Sequence, residues 1–546
     1  MTSVTGYRLL MESVRRAGTD VLFFLEGGPL MEAAEVAAEL GIRCIDVRHE
    51  QAAAMMAQAW TRLTRRVGVC MAASGPGTCN LTTGLANAFI DCVPMVAIGG
   101  SVAVSTYGRG EFQDIDQLRM LEPITKAAMR IYAAERIPEQ VYNAFLRALS
   151  GQPGPVYLDL PADVLFSKVA AETIVWPTFD LTISRNPADP RRVEAAVALL
   201  RAARRPIVLS GTGALFADAS EAMAAFLKET ALPVFSTPQG RGIVSEAGAQ
   251  TPLAARTRAF READVVLAVG TRLNFIFGFG RPPRFAPDVR IIHIDIDPIE
   301  IARHPGVAVR LQGDAAEVLA QLTQALAGAG LPQVDRAWLN SLQAEHRDKQ
   351  ERGLRAQSAL DQTPIHPLRL CAELAALLPE DAVLAVDGHV ILNFARQSMA
   401  THRPGHRLNS GPFGCLGVGV PFGVGAKVAR PALPVVVLTG DGSFGLNAME
   451  LDTAVRHSLP IVVVISNNGG WAAATHAGSP GRDLGYTRYD LMFAPLGIHT
   501  EHVTRPDEIR PALERALACE RVAVVNVITD PKVDAKTVAF STYGAI

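Results

Sequence analysis

Gly440-Asp441-Gly442-Ser443, then Ala448-Met449-Glu450-Leu451-Asp452-Thr453-Ala454-Val455, then the apolar run Leu459 to Ile465 closing at Asn467-Asn468: the fold of this chain is decided by how that stretch is read. It spells tight turn, helix and strand, and the preceding Pro434-Val435-Val436-Val437-Leu438 supplies a first strand. A βαβ unit in a parallel sheet brings both strand C-termini to one edge. Asp441 and Asn468, 27 positions apart, therefore meet beside a helix N-terminus. Mg²⁺ needs near-octahedral oxygen ligation and shares its sites with phosphates, while helix amides favour the anion itself. A lone Gly-Asp-Gly is more often a plain β-turn. Joined to Asn467-Asn468 by this element order and spacing, it points to a diphosphate held through Mg²⁺.

Outward from that stretch, 546 residues predict three or four domains, each large enough for its own core. Forty-nine per cent hydrophobic residues with 6% aromatic and 46 glycines fit an α/β protein of Ala, Val, Leu and tight turns, and exclude disorder. A net charge of −2 with interspersed signs gives no electrostatic reason to expect nucleic acid or a membrane surface. Cys44, Cys70, Cys79, Cys92, Cys371, Cys415 and Cys519 form no Cys-x-x-Cys pair and no signal peptide opens the chain, so a reducing cytoplasm is the expected compartment. Residues 67–90 carry no charge, yet Ser74-Gly75-Pro76-Gly77 in their middle marks strand, turn and helix rather than a membrane span.

The chain divides into a first block over 1–175, whose last buried strand is Gly154–Pro161, and a second over 185–335 beyond a Pro-containing connector. The second opens with a helix over Arg191–Ala202 and alternates helices with strands at Pro206–Leu209, Val265–Val269 and Ile291–Ile296. A polar, helical linker covers 334–361; a third block over 362–530 ends in a strand at Val522–Ile528; 531–546 form a tail. The expected fold is α/β, three doubly wound parallel-sheet domains in series. Gly211-Thr212-Gly213 follows a strand, but the third glycine of the dinucleotide fingerprint is missing, which makes an NAD-dependent enzyme a weaker reading.

In the first block Asp46-Val47-Arg48-His49-Glu50-Gln51-Ala52 is a strand end running into an Ala/Met-rich helix. A Glu at such a position is ordinarily a solvated carboxylate complementing the helix dipole. Ser74-Gly75-Pro76-Gly77-Thr78, 24 residues after Glu50, is a glycine turn that lets backbone approach a ligand. Taken together, Arg48–Ala52, Ser74–Gly77, Gly440–Ser443 and Asn467-Asn468 resemble the thiamine diphosphate (ThDP)-dependent decarboxylase and acetolactate synthase superfamily over essentially the whole chain. The resemblance implies a pyrimidine-binding, a middle and a pyrophosphate-binding domain, with active sites at a dimer interface and commonly a tetramer. It also implies roles. Glu50 matches the carboxylate that hydrogen-bonds N1′ of the aminopyrimidine, letting its 4′-imino tautomer take the thiazolium C2 proton; an apolar pocket makes a carboxyl able to share that proton. Asp441, Asn468 and the carbonyl of Gly470 match the Mg²⁺ ligands. Leu416 matches the bulky prop under the cofactor, the Gly414 carbonyl faces the 4′-amino group, and Gly388 and His389 fall on the second diphosphate loop. Ser74, Gly442, Ser443 and Trp471 complete the implied cofactor set.

Within the superfamily the chain looks most like the 2-hydroxyacyl-CoA lyases, relatives of oxalyl-CoA decarboxylase, through Glu111–Gln117, Arg272–Phe285 and Ser410–Gly414. This implies lysis of a 2-hydroxyacyl-CoA to formyl-CoA and an aldehyde or ketone, with Gln113 joining Glu50 as a catalytic residue. Arg272, Arg281 and Arg284 have the right chemistry for the phosphates of coenzyme A. The tail through Tyr543 reads as a substrate-covering lid. Whether the middle domain holds ADP, FAD or only the CoA adenylate stays open. A CoA-independent carboligase, like benzaldehyde lyase or acetolactate synthase, is the alternative. Asn468 followed by Trp471 favours the former, while Pro29 stands where its catalytic histidine is expected. Glu26 and the pair Trp471-Ala472 also depart from the family pattern.

Overall fold

The computed structural model describes residues 3–471 and 478–534. Three parallel sheets follow one another along the chain. The first has six strands, in chain order Val21–Phe24, Arg43–Asp46, Gly68–Ala72, Met95–Ser101, Ala127–Arg130 and Pro155–Pro161, arranged across the sheet as second, first, third, fourth, sixth, fifth. The third sheet repeats that arrangement with Val383–Val386, Arg407–Leu408, Val435–Gly440, Val462–Asn467, His499–Val503 and Ala523–Ile528. The middle sheet has five strands, Pro206–Ser210, Val234–Ser236, Val265–Val269, Arg290–Asp295 and Val307–Gln312, in the order second, first, third, fourth, fifth. The α/β reading with three doubly wound sheets is thereby borne out. The central strands read as unbroken Val/Ile/Leu/Ala runs because helices cover both faces.

Strand order reverses between the first and third strand of every sheet. The crevice left at the strand C-termini is where doubly wound folds take ligands. In the third sheet this point lies between Val386 and Gly440.

The first and third domains share one core. Helix Glu50–Thr64 is buried almost all round and packs on helix Gly419–Ala429, buried from Gly419 to Val428. Their approach is close: a Cβ added at Gly425 would fall 2.3 Å from the Met56 carbonyl oxygen. Cores on the outer faces of the first and third sheets and two around the middle sheet complete the interior. The linker is one helix, Arg336–Ser358. The helix expected over 448–455 is Glu450–Arg456, and the tight turn expected at Gly440–Ser443 is instead the start of a further helix, Asp441–Asn447, whose last side chain is tied to Gly417 and Gln51. Residues 535–546, with Phe540–Tyr543, lie outside the described residues.

Candidate active site

The Val435–Gly440 strand passes straight into helix Asp441–Asn447, so Asp441, Gly442 and Ser443 form its first turn and turn its amides toward the crevice. Asn468 follows the neighbouring strand Val462–Asn467. A cavity of about 50 Å³ lies there, and Gly388, His389, Leu416, Asp441, Gly442, Ser443, Asn468, Gly470 and Trp471 all line it. Nine of the residues singled out from the sequence therefore converge. Gly388 has φ +97°, and a Cβ there would fall 3.1 Å from the Gly440 amide nitrogen, so the loop closes over the crevice only with glycine. The Trp471 ring lies within 3 Å of where a Cβ on Gly442 would stand, making it a wall of the cavity.

The donor set fits Mg²⁺ with a diphosphate. Asp441 is 2% exposed, and its Oδ2 has no hydrogen-bond partner among the described residues. Burial pushes its carboxyl up to about 6 against the pull of backbone amides. A cation relieves that cost. No group of three or more His, Cys, Asp or Glu side chains gathers in metal-binding geometry among the described residues. One carboxylate, one amide and the Gly470 carbonyl thus suit a cation that takes its remaining oxygens from phosphate and water.

Glu50 and the pair Ser74 and Gln113 stand at the strand C-termini of the first sheet, joined through the Ser74–Gly77 turn, where a Cβ on Gly77 would fall 3.3 Å from Glu50 Oε1. Glu50 begins its helix and is 7% exposed; its Oε2 accepts from Asn80 Nδ2 at 2.9 Å. Ser74 Oγ donates to Gln113 Oε1 at 2.7 Å, and Gln113 sits at φ +65° against Gly75. Gly414, also left-handed at φ +70°, lies in the loop before Leu416 but does not line the small cavity.

Sequence reasoning missed four supporting residues. Asp387, buried and pushed up to about 6, accepts from the amides of Gly388 and Gly419 at 2.7 and 2.9 Å and so fixes the Gly388-His389 loop. Its place one residue before Gly388 was a usable signal. Gln117 ties the Gly75 amide, at 2.7 Å, to Asp159. Glu450 and Asn447 bind the backbone and side chain on either side of Glu50 from about 400 residues away, and nothing local announces them.

A cavity of about 760 Å³ opens at the switch point of the middle sheet between Thr212-Gly213 and Gly270–Arg272, with Asp295 and Asp314 at the next strand ends. A second, about 590 Å³, shares Ile90, Arg272, Asn274 and Pro412 with it and adds Arg281, Glu300, Arg303 and His304. Arg272 thus lies between the two, its Nη2 against Cys92 Sγ. Arg281 is exposed on the second cavity, whereas Arg284 lines neither and lies over the Phe260 ring. The three arginines do not converge.

A chain of three doubly wound domains, with a diphosphate crevice in the third and a buried glutamate in the first, defines a thiamine-diphosphate-dependent enzyme. The comparisons agree. Residues 4–120, 193–322 and 389–527 match the N-terminal TPP binding domain, the central domain and the C-terminal TPP binding domain of the thiamine pyrophosphate enzymes. The chain is 37% identical over 541 residues to the acetolactate synthase large subunit of Mycobacterium tuberculosis, covering 96% of each chain. It is 32% identical over 552 residues to 2-hydroxyacyl-CoA lyase of Arabidopsis thaliana, covering 97% of this chain and 96% of the relative. It is also 32% identical over 547 residues to oxalyl-CoA decarboxylase of Escherichia coli, covering 96% and 95%. The chain belongs to the thiamine pyrophosphate enzyme family. No helix of the described residues is long and apolar enough to cross a membrane.

Proposed function

We propose that this protein is a ThDP- and Mg²⁺-dependent lyase acting on a 2-hydroxyacyl-CoA, giving formyl-CoA and an aldehyde or ketone. The observation that carries this reading is the pair of joined cavities. The larger has the strand-end glycines and acids suited to a nucleotide, and both cavities reach Pro412, two residues before Gly414. A nucleotide with a long thioester arm matches that shape better than a free 2-oxo acid does. ThDP, when bound, supplies an electron sink for bonds next to a carbonyl carbon. Asp441, Asn468 and the Gly470 carbonyl hold its Mg²⁺, Ser443 and the amides of the first helical turn hold the diphosphate, and Leu416 props the rings. Glu50 holds the proton it shares with the pyrimidine nitrogen N1′, and Gln113 orients substrate from the facing group. Glu50 and Asp441 lie in separate groups of one chain, which supports a homodimer, assembled further into a tetramer, in which each cofactor lies between two chains.

Carboligation of 2-oxo acids is the second reading. It draws on the 37% identical acetolactate synthase relative and on the divergence of the three arginines. Purified protein with ThDP and Mg²⁺ should be offered a panel of 2-hydroxyacyl-CoAs and, separately, pyruvate, with products identified by mass. Formyl-CoA release supports the lyase; acetolactate from pyruvate with intact acyl-CoA overturns it in favour of the second reading.

A further inference from the structure

The start of the Glu50 helix is clamped by the segment that carries the diphosphate anchor. Glu450, 1% exposed, opens the helix Glu450–Arg456. Its Oε1 accepts from the amides of Arg48 at 3.1 Å and His49 at 3.0 Å, the two residues before Glu50, and its Oε2 accepts from Thr453 Oγ1 at 2.7 Å. On the other side, Gln51 Nε2 donates to Asn447 Oδ1 at 2.9 Å, and Asn447 Nδ2 donates to the Gly417 carbonyl at 2.7 Å, one residue past Leu416. Residues 48, 49 and 51 are thus fixed by Glu450 and Asn447, nine and six positions after Asp441.

We propose that Glu450, with Asn447, is a positioning residue for Glu50. It sets where the Glu50 carboxyl stands relative to the pyrimidine nitrogen it serves. Burial pushes the Glu450 carboxyl up to about 7 against the pull of Thr453 and the Arg48 and His49 amides, so a carboxyl kept this deep depends on those donors staying in place. A packing tie between two domains needs no such pair of amides aimed at the residues adjoining the acid. Ala and Met of helix Glu50–Thr64 against Val and Phe of helix Gly419–Ala429 already join the domains. The inference rests on the reading of Glu50 as the proton-sharing carboxylate.

The test compares Glu450→Gln, Glu450→Asp and Glu50→Gln. Three quantities are read: ThDP·Mg²⁺ affinity by calorimetry, exchange of the C2 proton of bound ThDP by quenched NMR, and amide hydrogen exchange of a peptide covering residues 43–57 in cofactor-free protein. Glu450→Gln is expected to keep affinity within threefold, speed exchange of the peptide about tenfold and slow C2 exchange at least tenfold, with Glu450→Asp between it and the parent. C2 exchange within twofold of the parent in Glu450→Gln, while Glu50→Gln abolishes it, overturns the proposal and leaves Glu450 a structural tie. C2 exchange indifferent to Glu50→Gln removes the reading of Glu50 and the proposal with it. Should Glu450→Gln fail to fold, Gln51→Met cuts only the link to Asn447. A threefold or greater slowing then supports the clamp, and none overturns it.

Discussion

Glu50 and Asn80 show how much one residue's meaning depends on its surroundings. A glutamate at a helix start is ordinarily a solvated partner of the dipole. Here it is buried, accepts one side-chain hydrogen bond, and has neighbours fixed from another domain. Glu50→Gln is expected to fold as the parent does and lose roughly 10²–10⁴-fold of turnover, the usual range for acid–base function. Turnover within threefold of the parent contradicts the role. Arg281 and Arg284, three positions apart, differ in the same way. Arg281 faces the second cavity and Arg284 an aromatic ring. Arg281→Ala should raise KM for an acyl-CoA about tenfold with little change in kcat, because contacts far from the reacting carbon act on binding. Arg284→Ala should leave KM within twofold. Equal effects of the two contradict the placement of substrate along that cavity.

At the scale of elements, the packing of helix Glu50–Thr64 on helix Gly419–Ala429 holds the site together, and its tightest point is Gly425 against Met56. Gly425→Val places two methyl groups where one Cβ already meets a carbonyl oxygen. Overpacking of this kind costs about 1–3 kcal/mol or more. Its urea midpoint should fall measurably, and a midpoint equal to the parent's contradicts the close approach. The strands and the Asp441–Asn468 unit were legible in the sequence because each depends on residues within one βαβ segment. The helix Asp441–Asn447 in place of a tight turn was not legible, since the bond that ties its end, Gln51 to Asn447, comes from another domain. The arginine loop misled for a related reason: across the kink of Phe275–Gly280, where Gly278 and Phe279 stand at φ +55°, Arg272 and Arg281 still share the second cavity, while Arg284, three residues on, turns to the Phe260 ring. Spacing in sequence does not reveal such a turn.

On the whole molecule, the three domains meet at Asp91. Gln58 of the first domain and Gln239 of the middle domain donate to its Oδ2 at 3.1 and 3.0 Å, and Gln239 and Arg62 both donate to the Asn409 carbonyl of the third. Burial pushes the Asp91 carboxyl up to about 7 against the pull of Arg62 and Arg272. A carboxyl whose folded value lies above its unfolded one contributes stability that is full below about 4 and is lost as pH rises through about 7. Asp91→Asn, which keeps an acceptor without the charge, should therefore gain on the parent by about 2–3 kcal/mol between pH 5 and pH 8. Urea unfolding at the two pH values measures this, and a difference independent of pH contradicts it.

The central claim is that the crevice at the switch point of the third sheet holds ThDP through Mg²⁺ on Asp441. Calorimetric titration of the cofactor-free protein with ThDP in the presence of Mg²⁺, beside the same titration of Asp441→Ala, tests it most directly. The structure predicts saturable binding of one ThDP per chain for the parent, dependent on Mg²⁺, and its loss in the variant, whose crevice keeps the amides but not the carboxylate. An Asp441→Ala protein that is folded and titrates like the parent would contradict it.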